Sequence, residues 1–270
     1  MARSLNQVLR RRVMQASFLK MSLPQSLPWR SLECSASEQL IYGSLLKEMS
    51  MMCPEIDRVV EKLQSKVEET SYGSFSQSKV LQAPDVQQPC LEFVRSEVVP
   101  FPRASVWQAM RTFSGENNVE MRRFAAEVFG AMDDIIMNKM QLSYSTPQGS
   151  GHLQLRTVIR HITHAKRSVF VAVRFYDNVH FEGQLVGGFV LHERKWTVLE
   201  NDVDVCDATA ACKATCIQAY SKVGPESTVL PMPTNWDCET LQNIVAPAWT
   251  MATSIAQRRI ESILLAQATT

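Results

Sequence analysis

The sequence of 270 residues lacks both a long uncharged hydrophobic run and a strong net charge. No such run approaches the roughly 18 residues needed to cross a bilayer, so no transmembrane segment is expected. A formal net charge of +1 gives no general reason to bind nucleic acid or acidic substrates. Because 45% of the residues are hydrophobic, the chain can bury a sizeable core, and we expect a soluble globular protein of one or two domains.

Sequence motifs for catalysis are also missing. The glycines between Gly183 and Gly188 do not form a phosphate-binding loop, and no G-x-S-x-G nucleophile motif occurs. The acidic pairs Asp133–Asp134 and Asp202–Asp204 fall on predicted surface turns and do not indicate acid–base chemistry. We therefore expect a protein that is not an enzyme, with no catalytic residues and no cofactor.

Cysteine is present but shows no regular framework. The seven cysteines are odd in number and scattered, unlike those of a small secreted scaffold, so reduced thiols are expected. Cys212 and Cys216 form the only close pair in the sequence. On a strand they would lie about 13 Å apart, too far for a disulfide, whereas on a helix they would be neighbours. This spacing alone does not favour a metal or redox site.

Residues 1–32 contain six basic residues and no acidic one, interleaved with apolar residues. The pattern is typical of a mitochondrial transit peptide, but it also fits the basic end of a coiled-coil-like helix or a solvated, partly ordered helix over residues 1–37. The single cluster Arg10–Arg12 does not favour nucleic-acid binding, which needs a longer or paired basic face. A protein partner for the N-terminal helices stays open. We expect a cytoplasmic protein, with the nucleus or, for a transit peptide, the mitochondrion as alternatives.

The next two segments differ sharply in composition. Over residues 38–69, apolar residues recur every three and four positions, which is the period of one buried helical face, and Pro54 should break the helix. Residues 70–89 are rich in Ser, Gln, Gly and Pro. This composition predicts a linker or a long loop.

Residues 90–267 alternate between strand and helix patterns. A strand over Leu91–Val99 precedes short helices, and a series of antiparallel strands follows from Ile135, with a turn predicted at His192–Lys195. A long amphipathic helix over Asp237–Ala266 ends the domain, and Pro247 should kink it. This order predicts an α+β fold in which the helix covers one face of a curved antiparallel sheet.

Three of the five histidines fall in the stretch RHITHAKRSVFVAVRFYDNVHFEG. Its alternating valines and phenylalanines predict two strands of a hairpin with a polar turn at Ala165–Arg167. His161 and His164 would then point to opposite sides, because strand side chains alternate, and His180 would follow in a loop. We interpret all three as surface or turn histidines and expect no metal site.

Four blocks of the domain resemble a known family. They are EFVRSEVVPFPRASVWQAM, LQLRTVIRHITHAKRSVFVAVRF, GFVLHERKWTVLE and IAQRRIESILLAQ. Together, and in this order, they are similar to the START-like proteins abundant in oomycetes, often labelled the mating-specific protein family. The resemblance covers about Leu91 to Gln267, and the helix over Leu40–Leu63 is similar to the lead-in of that family. It implies a helix-grip fold, START/Bet v 1-like, with an internal cavity for a lipid, sterol or similar apolar molecule.

Two functions follow as hypotheses. The first is a non-catalytic START-like module that holds an apolar ligand between the sheet and the C-terminal helix. Its rival is an interaction or regulatory protein whose core is filled by its own side chains, plugged by Trp196, Trp249 and Phe189. For an open cavity, the lining is predicted from the apolar face of each element: Val171, Val173, Phe189, Leu191, Met251 and Ile255.

Overall fold

A computed structural model describes most of the chain from residue 36 onwards. The described residues are 36–68, 75–81, 90–115, 119–130, 132–146, 149–181, 184–185, 191–202, 214–224 and 246–268. The helices are α1 (Ala36–Met52), α2 (Ile56–Glu68), α3 (Arg103–Phe113), α4 (Val119–Phe129) and α5 (Ala246–Ala268). The strands are β1 (Phe75–Leu81), β2 (Cys90–Val99), β3 (Ile135–Thr146), β4 (Gly149–Thr163), β5 (Arg167–Phe181), β6 (Gln184–Leu185), β7 (Leu191–Asp202) and β8 (Ala214–Gly224).

The described strands form one antiparallel sheet. Their order is β1-β2-β8-β7-β5-β4-β3, and the short β6 pairs with β5. Strand β2 therefore lies beside the last strand, β8, although two helices and several strands separate them in the chain. With α3 and α5 packed across one face, this is an α+β helix-grip fold with a curved sheet. The predicted fold class is confirmed.

Both faces of the sheet are covered. Along β5, Val171 and Val173 point towards α1 and α2, whereas Phe170 and Ala172 point towards α3 and α5. This follows from the pleat, which sends successive side chains to opposite faces. We call the first the lead-in face and the second the grip face. Because both faces are buried, β5 reads as a nearly continuous apolar run in the sequence.

Helices α1 and α2 attach to the lead-in face by apolar contacts and ion pairs. Leu45 and Leu63 are each 1% exposed within the apolar cluster on this face. Glu38 accepts two hydrogen bonds from Arg156, both 2.9 Å, and a third of 2.8 Å from Lys139. Burial opposes ionisation of Glu38, but these bonds outweigh it and lower the pKa of its carboxyl. The predicted break at Pro54 is also present, as a 3₁₀ turn over Cys53–Glu55.

The structure corrects the predicted linker over residues 70–89. Strand β1 lies within it and pairs with β2 from Phe75↔Ser96 to Leu81↔Cys90. The middle of β1 is exposed, because β1 is an edge strand whose side chains do not have to alternate between apolar and polar. Its Ser- and Gln-rich sequence therefore does not show the alternating pattern that predicts a strand. Residues 69–74 and 82–89 lie outside the described residues, as does the basic N-terminal segment before residue 36.

Two further elements differ from their predictions. His192–Lys195, predicted as a turn, lies inside β7, where polar side chains on both faces form ion pairs or border a cavity. The C-terminal helix is described over Ala246–Ala268, while residues 237–245 lie outside the described residues. Within the described helix, Pro247 is in the first turn, where proline costs no hydrogen bond. No described helix is both long enough and apolar enough for a membrane span.

The histidine-rich stretch forms the predicted hairpin of β4 and β5. His161 is nevertheless buried, with its ring 4.7 Å from that of Phe170 and 6.3 Å from that of Trp107, so the surface interpretation is wrong for this residue. Burial, reinforced by the charge of Arg111, lowers its pKa to about 4. His164 is exposed, and the side chain of His180, which falls on β5, is not described. The described His, Cys, Asp and Glu side chains form no metal-binding group of three or more.

Candidate functional site

A cavity of about 390 Å³ lies between α5 and the grip face. Volumes of roughly 300–1,000 Å³ are typical of small-molecule sites. We call it the grip cavity. Its sheet wall includes Phe93, Arg95 and Glu97 of β2, Lys195 and Thr197 of β7, and Ile217, Ala219 and Ser221 of β8. Its helix wall includes Trp249, Thr253, Gln257, Ile260, Glu261 and Leu264, and Met110 of α3 contributes beside them.

Small side chains account for the space. On β8, Ala219 and Ser221 face the cavity, and on α5 they are opposed by Thr253, Ser254 and Ala256. Large apolar residues at these positions would reduce this space. The cavity therefore occupies the part of the grip face where both walls carry short side chains.

One end of the grip cavity is aromatic. Trp249 of α5 stacks on Phe93 with ring centroids 6.0 Å apart, and it meets Tyr176 edge-on at 5.0 Å. Leu191 packs in the same apolar cluster. This cluster supports the N-terminal part of α5 against strands β2, β5 and β7.

The middle and the far end are polar. Arg95 donates a 2.7 Å hydrogen bond to Glu97, and Gln257 donates to the same Glu97 oxygen at 2.7 Å and to Glu261 at 3.0 Å. This chain of hydrogen bonds joins β2 to α5 across the cavity. The far end therefore contains two carboxylates, one of which is paired with an arginine.

A second buried pair lies on the grip face near the aromatic end. Arg174 and the Tyr176 hydroxyl each donate to the same oxygen of Glu193, at 2.9 Å. The Glu193 side chain is 0% exposed. Burial lowers the pKa of Arg174, but the charge of Glu193 outweighs this effect and raises it overall. Arg174 therefore remains charged beside Glu193.

Lys195 lies between these two pairs on the grip face. It occupies one row across the sheet with Phe93, Ser221 and Ala172, as the strand registers show. Burial lowers its pKa to about 8, and the positive charge of Arg174 adds to this effect. It makes no hydrogen bond or ion pair with any other described residue.

Two of the residues predicted to line the cavity lie elsewhere. Val171 and Val173 are fully buried against α1 and α2, on the lead-in face, and do not touch the grip cavity. The prediction chose the more apolar of the two faces of β5. The more apolar face of β5 packs in the filled core, whereas the face towards α5 carries Arg174 and Tyr176. Choosing lining residues from the more apolar face therefore gave the wrong side of the strand.

The other four predicted residues have mixed outcomes. Leu191 is on the grip face and packs in the cluster around Trp249, next to the cavity but outside its lining. Ile255 is partly buried and does not line it. Phe189 and the side chain of Met251 lie outside what the structure describes.

Two tryptophans bear on the filled-core hypothesis. Trp196 cannot plug the grip cavity, because it lies in the lead-in core and its indole nitrogen donates to the Met52 carbonyl at 3.4 Å. Trp249 lines one end of the cavity and leaves the remaining space unfilled.

Sequence reasoning missed the polar lining. Thr253, Gln257 and Glu261 recur every four residues along one helical face, and the polar face of an amphipathic helix normally indicates exposure to solvent. The signal that could have identified it lies in the strands. In the central strand β7, Glu193 and Lys195 fall on one face, and the residues between and beside them on the other face include polar ones. Neither face of this strand is therefore apolar throughout. A charged face on a central, buried strand indicates a polar interior site.

Comparison with known proteins gives only distant similarity. No protein-family model and no curated protein matches the chain. Among solved structures, a conserved protein from Geobacillus kaustophilus has a TM-score of 0.37 and 10% identity, covering 64% of this chain and 95% of its own. Human STARD10 has a TM-score of 0.34 and 9% identity, covering 76% and 79%. An uncharacterised protein from Rhizobium leguminosarum has a TM-score of 0.31 and 9% identity, covering 70% and 97%. What this chain binds must be inferred from its own residues.

Proposed function

We propose that this protein is a non-catalytic binding module that holds an amphipathic small molecule in the grip cavity. The observation that carries the proposal is the cavity of about 390 Å³, which has an aromatic end and a polar middle. From the four sequence blocks, we also propose that the chain is a START-like protein of the kind found in oomycetes.

The mixed lining supports an amphipathic ligand rather than a purely apolar one. Phe93, Trp249 and Ile260 offer apolar surface, whereas Lys195 and the N–H groups that Arg95 does not use in its bond to Glu97 offer donors. Ligand sites commonly combine apolar walls with a few polar groups that fix orientation. A ligand that met only the apolar groups would leave the polar ones without water or a partner, which costs free energy.

The rival function is an interaction module with a filled core. It would require the side chains of the grip face to meet α5 without a gap. The small residues Ala219 and Ser221 opposite Thr253 leave such a gap, and this observation favours the binding module.

A pair of matched substitutions tests the proposal. Ala219→Phe places a ring in the grip cavity, whereas Val171→Phe places the same ring in the filled lead-in core. We expect Val171→Phe to cost about 1–3 kcal/mol of unfolding free energy through overpacking, and Ala219→Phe to cost less than half as much. Binding of 1-decanol, measured by calorimetry, should be lost in Ala219→Phe.

The outcomes separate the two functions. Saturable decanol binding by the wild type and its loss in Ala219→Phe support the binding module. If the wild type binds no decanol, carries no small molecule in native mass spectrometry and is destabilised equally by both substitutions, the filled-core function replaces it.

A further inference from the structure

We propose that Lys195 binds an acidic head group of the ligand, so that the grip cavity selects an amphipathic carboxylate over its neutral counterpart. This inference rests on the proposed binding function and specifies the class of ligand.

The first argument is that Lys195 is a cation without a counter-charge. Of the three basic side chains on this part of the grip face, Arg95 pairs with Glu97 at 2.7 Å and Arg174 pairs with Glu193 at 2.9 Å. Lys195 lines the cavity, yet no described carboxylate lies within ion-pair distance of it. Lys195 is half-buried, and partly shielding an ammonium from water without a partner is costly, so a site that keeps one is a candidate for binding an anion.

The second argument is that the charge of the nearest carboxylate is already balanced, although its Oε1 atom has no hydrogen-bond partner among the described residues. Glu193 lies two residues before Lys195 on the same face, but one of its oxygens accepts both Arg174 and the Tyr176 hydroxyl. With Arg174 as its ion-pair partner, its charge is balanced. It therefore contributes little net attraction that would hold the Lys195 ammonium away from the cavity.

The third argument is position. Lys195 shares a row with Phe93, and Phe93 stacks on Trp249, so Lys195 is placed in the row of the aromatic end. Glu97 is in the row of Leu199, four residues along β7 or roughly 13 Å away. The other end is already occupied by the hydrogen-bonded chain in which Gln257 joins Glu97 to Glu261.

The fourth argument is the protonation state. With its pKa lowered to about 8 by burial, Lys195 is still mainly protonated at pH 7. A bound carboxylate would raise that pKa, because an opposite charge favours the ammonium. Binding an acid therefore relieves part of the cost of burying this group.

The test compares decanoic acid with 1-decanol, which share the same chain, by calorimetry at pH 7. We expect wild-type protein to bind the acid at least about tenfold more tightly, as a charge-assisted contact implies. Lys195→Met, which keeps the length of the side chain but removes the charge, should abolish this preference and leave decanol binding within about twofold. Lys195→Arg should keep the preference, and Lys47→Met, at an exposed lysine on α1, serves as the control.

A pH series on the wild type provides a test without any substitution. Raising the pH from 7 to about 9.5 takes Lys195 through its pKa, while decanoic acid stays ionised. The preference for the acid should then fall by about tenfold, whereas decanol binding should stay constant.

Each result bears on one proposal or both. Equal binding of acid and alcohol by the wild type, or an acid preference unchanged by Lys195→Met and by pH, overturns the role of Lys195 but leaves the binding module intact. Failure of the wild type to bind either compound overturns both.

Discussion

The buried side chain of His161 affects the stability of the fold. Its ring is packed between Phe170 and Trp107, and its Nε2 atom has no hydrogen-bond partner among the described residues. The charge of Arg111 further disfavours protonation, and only Asp134 opposes it. The imidazole therefore stays neutral in the folded protein at pH values where an exposed histidine would be charged.

The consequence is a loss of stability in mild acid. The unfolded chain takes up a proton near pH 6.5, but folded His161 does so only near pH 4, so the unfolded state binds more protons between these values. Unfolding free energy should fall by roughly 2 kcal/mol from pH 7.5 to pH 5 because of this residue. Urea denaturation at the two pH values measures the effect.

Two variants isolate that contribution. His161→Phe removes the titrating group but keeps an aromatic ring, and it should reduce the pH dependence by about the same amount. His164→Gln, at an exposed position, should leave the dependence unchanged. An identical pH slope in the wild type and in His161→Phe would contradict the argument.

The chemistry of individual residues was the hardest feature to predict from the sequence. Alternation along β5 is visible, but nothing in the pattern says which face meets α5, so Val171 and Val173 were placed on the wrong side. Similarly, Gln257 and Glu261 have the composition of a solvated helical face. Both residues border a cavity, where polar side chains are compatible with an interior position. Hydrophobic periodicity identifies only those buried faces that are apolar.

At the level of elements, α1 and α2 act as a cover for the lead-in face. Their apolar residues share one cluster with the strands, and ion pairs of Glu38 with Arg156 and of Glu48 with Arg194 join α1 to the sheet. A buried carboxylate deprived of its partner is strongly destabilising, so these pairs also fix the register of the helices on the sheet.

Two leucines of α1 test this role. Leu45 is 1% exposed and packs on the sheet, whereas Leu40, on the same helix, is 71% exposed. We expect Leu45→Ala to cost about 2–5 kcal/mol, as a buried cavity does, and Leu40→Ala to change the unfolding free energy by no more than about 0.5 kcal/mol. Chemical denaturation of both variants measures this.

Leu40→Ala serves as the control for Leu45→Ala, because both replace leucine by alanine in the same helix and so change helix propensity alike. If both variants lost the same small amount of unfolding free energy, α1 and α2 would contribute little to the stability of the domain and would behave as a separate segment.

Most elements could be predicted because their signals are local. Pro54 marks the break between α1 and α2, and the turn at Ala165–Arg167 separates β4 from β5. Strand β1 could not be predicted, since an exposed edge strand is stabilised by its hydrogen bonds to β2 rather than by its own side chains. The predicted turn at His192–Lys195 failed for a related reason, because the ion pair of Arg194 with Glu48 of α1 and the polar cavity replace the apolar pattern there.

For the whole molecule, the sheet separates a face packed with large apolar residues from a face that borders the grip cavity. The lead-in face is filled by large apolar residues such as Trp196 and Met49, and its charges are paired at the border. The grip face combines short side chains with a half-buried lysine and borders the cavity. This arrangement lets the fold keep a stable core on one face while the other face leaves room for a ligand.

The two faces can be told apart by their tryptophans. Trp249 lines the grip cavity, and Trp196 is buried on the lead-in face. A bromine atom quenches tryptophan fluorescence on contact, so 11-bromoundecanoic acid should quench the wild type on binding. The quenching should persist in Trp196→Phe and disappear in Trp249→Phe, with undecanoic acid as the control for changes that bromine does not cause. Quenching that depends on Trp196 instead would place the ligand on the lead-in face and contradict the assignment of the grip cavity as the binding site.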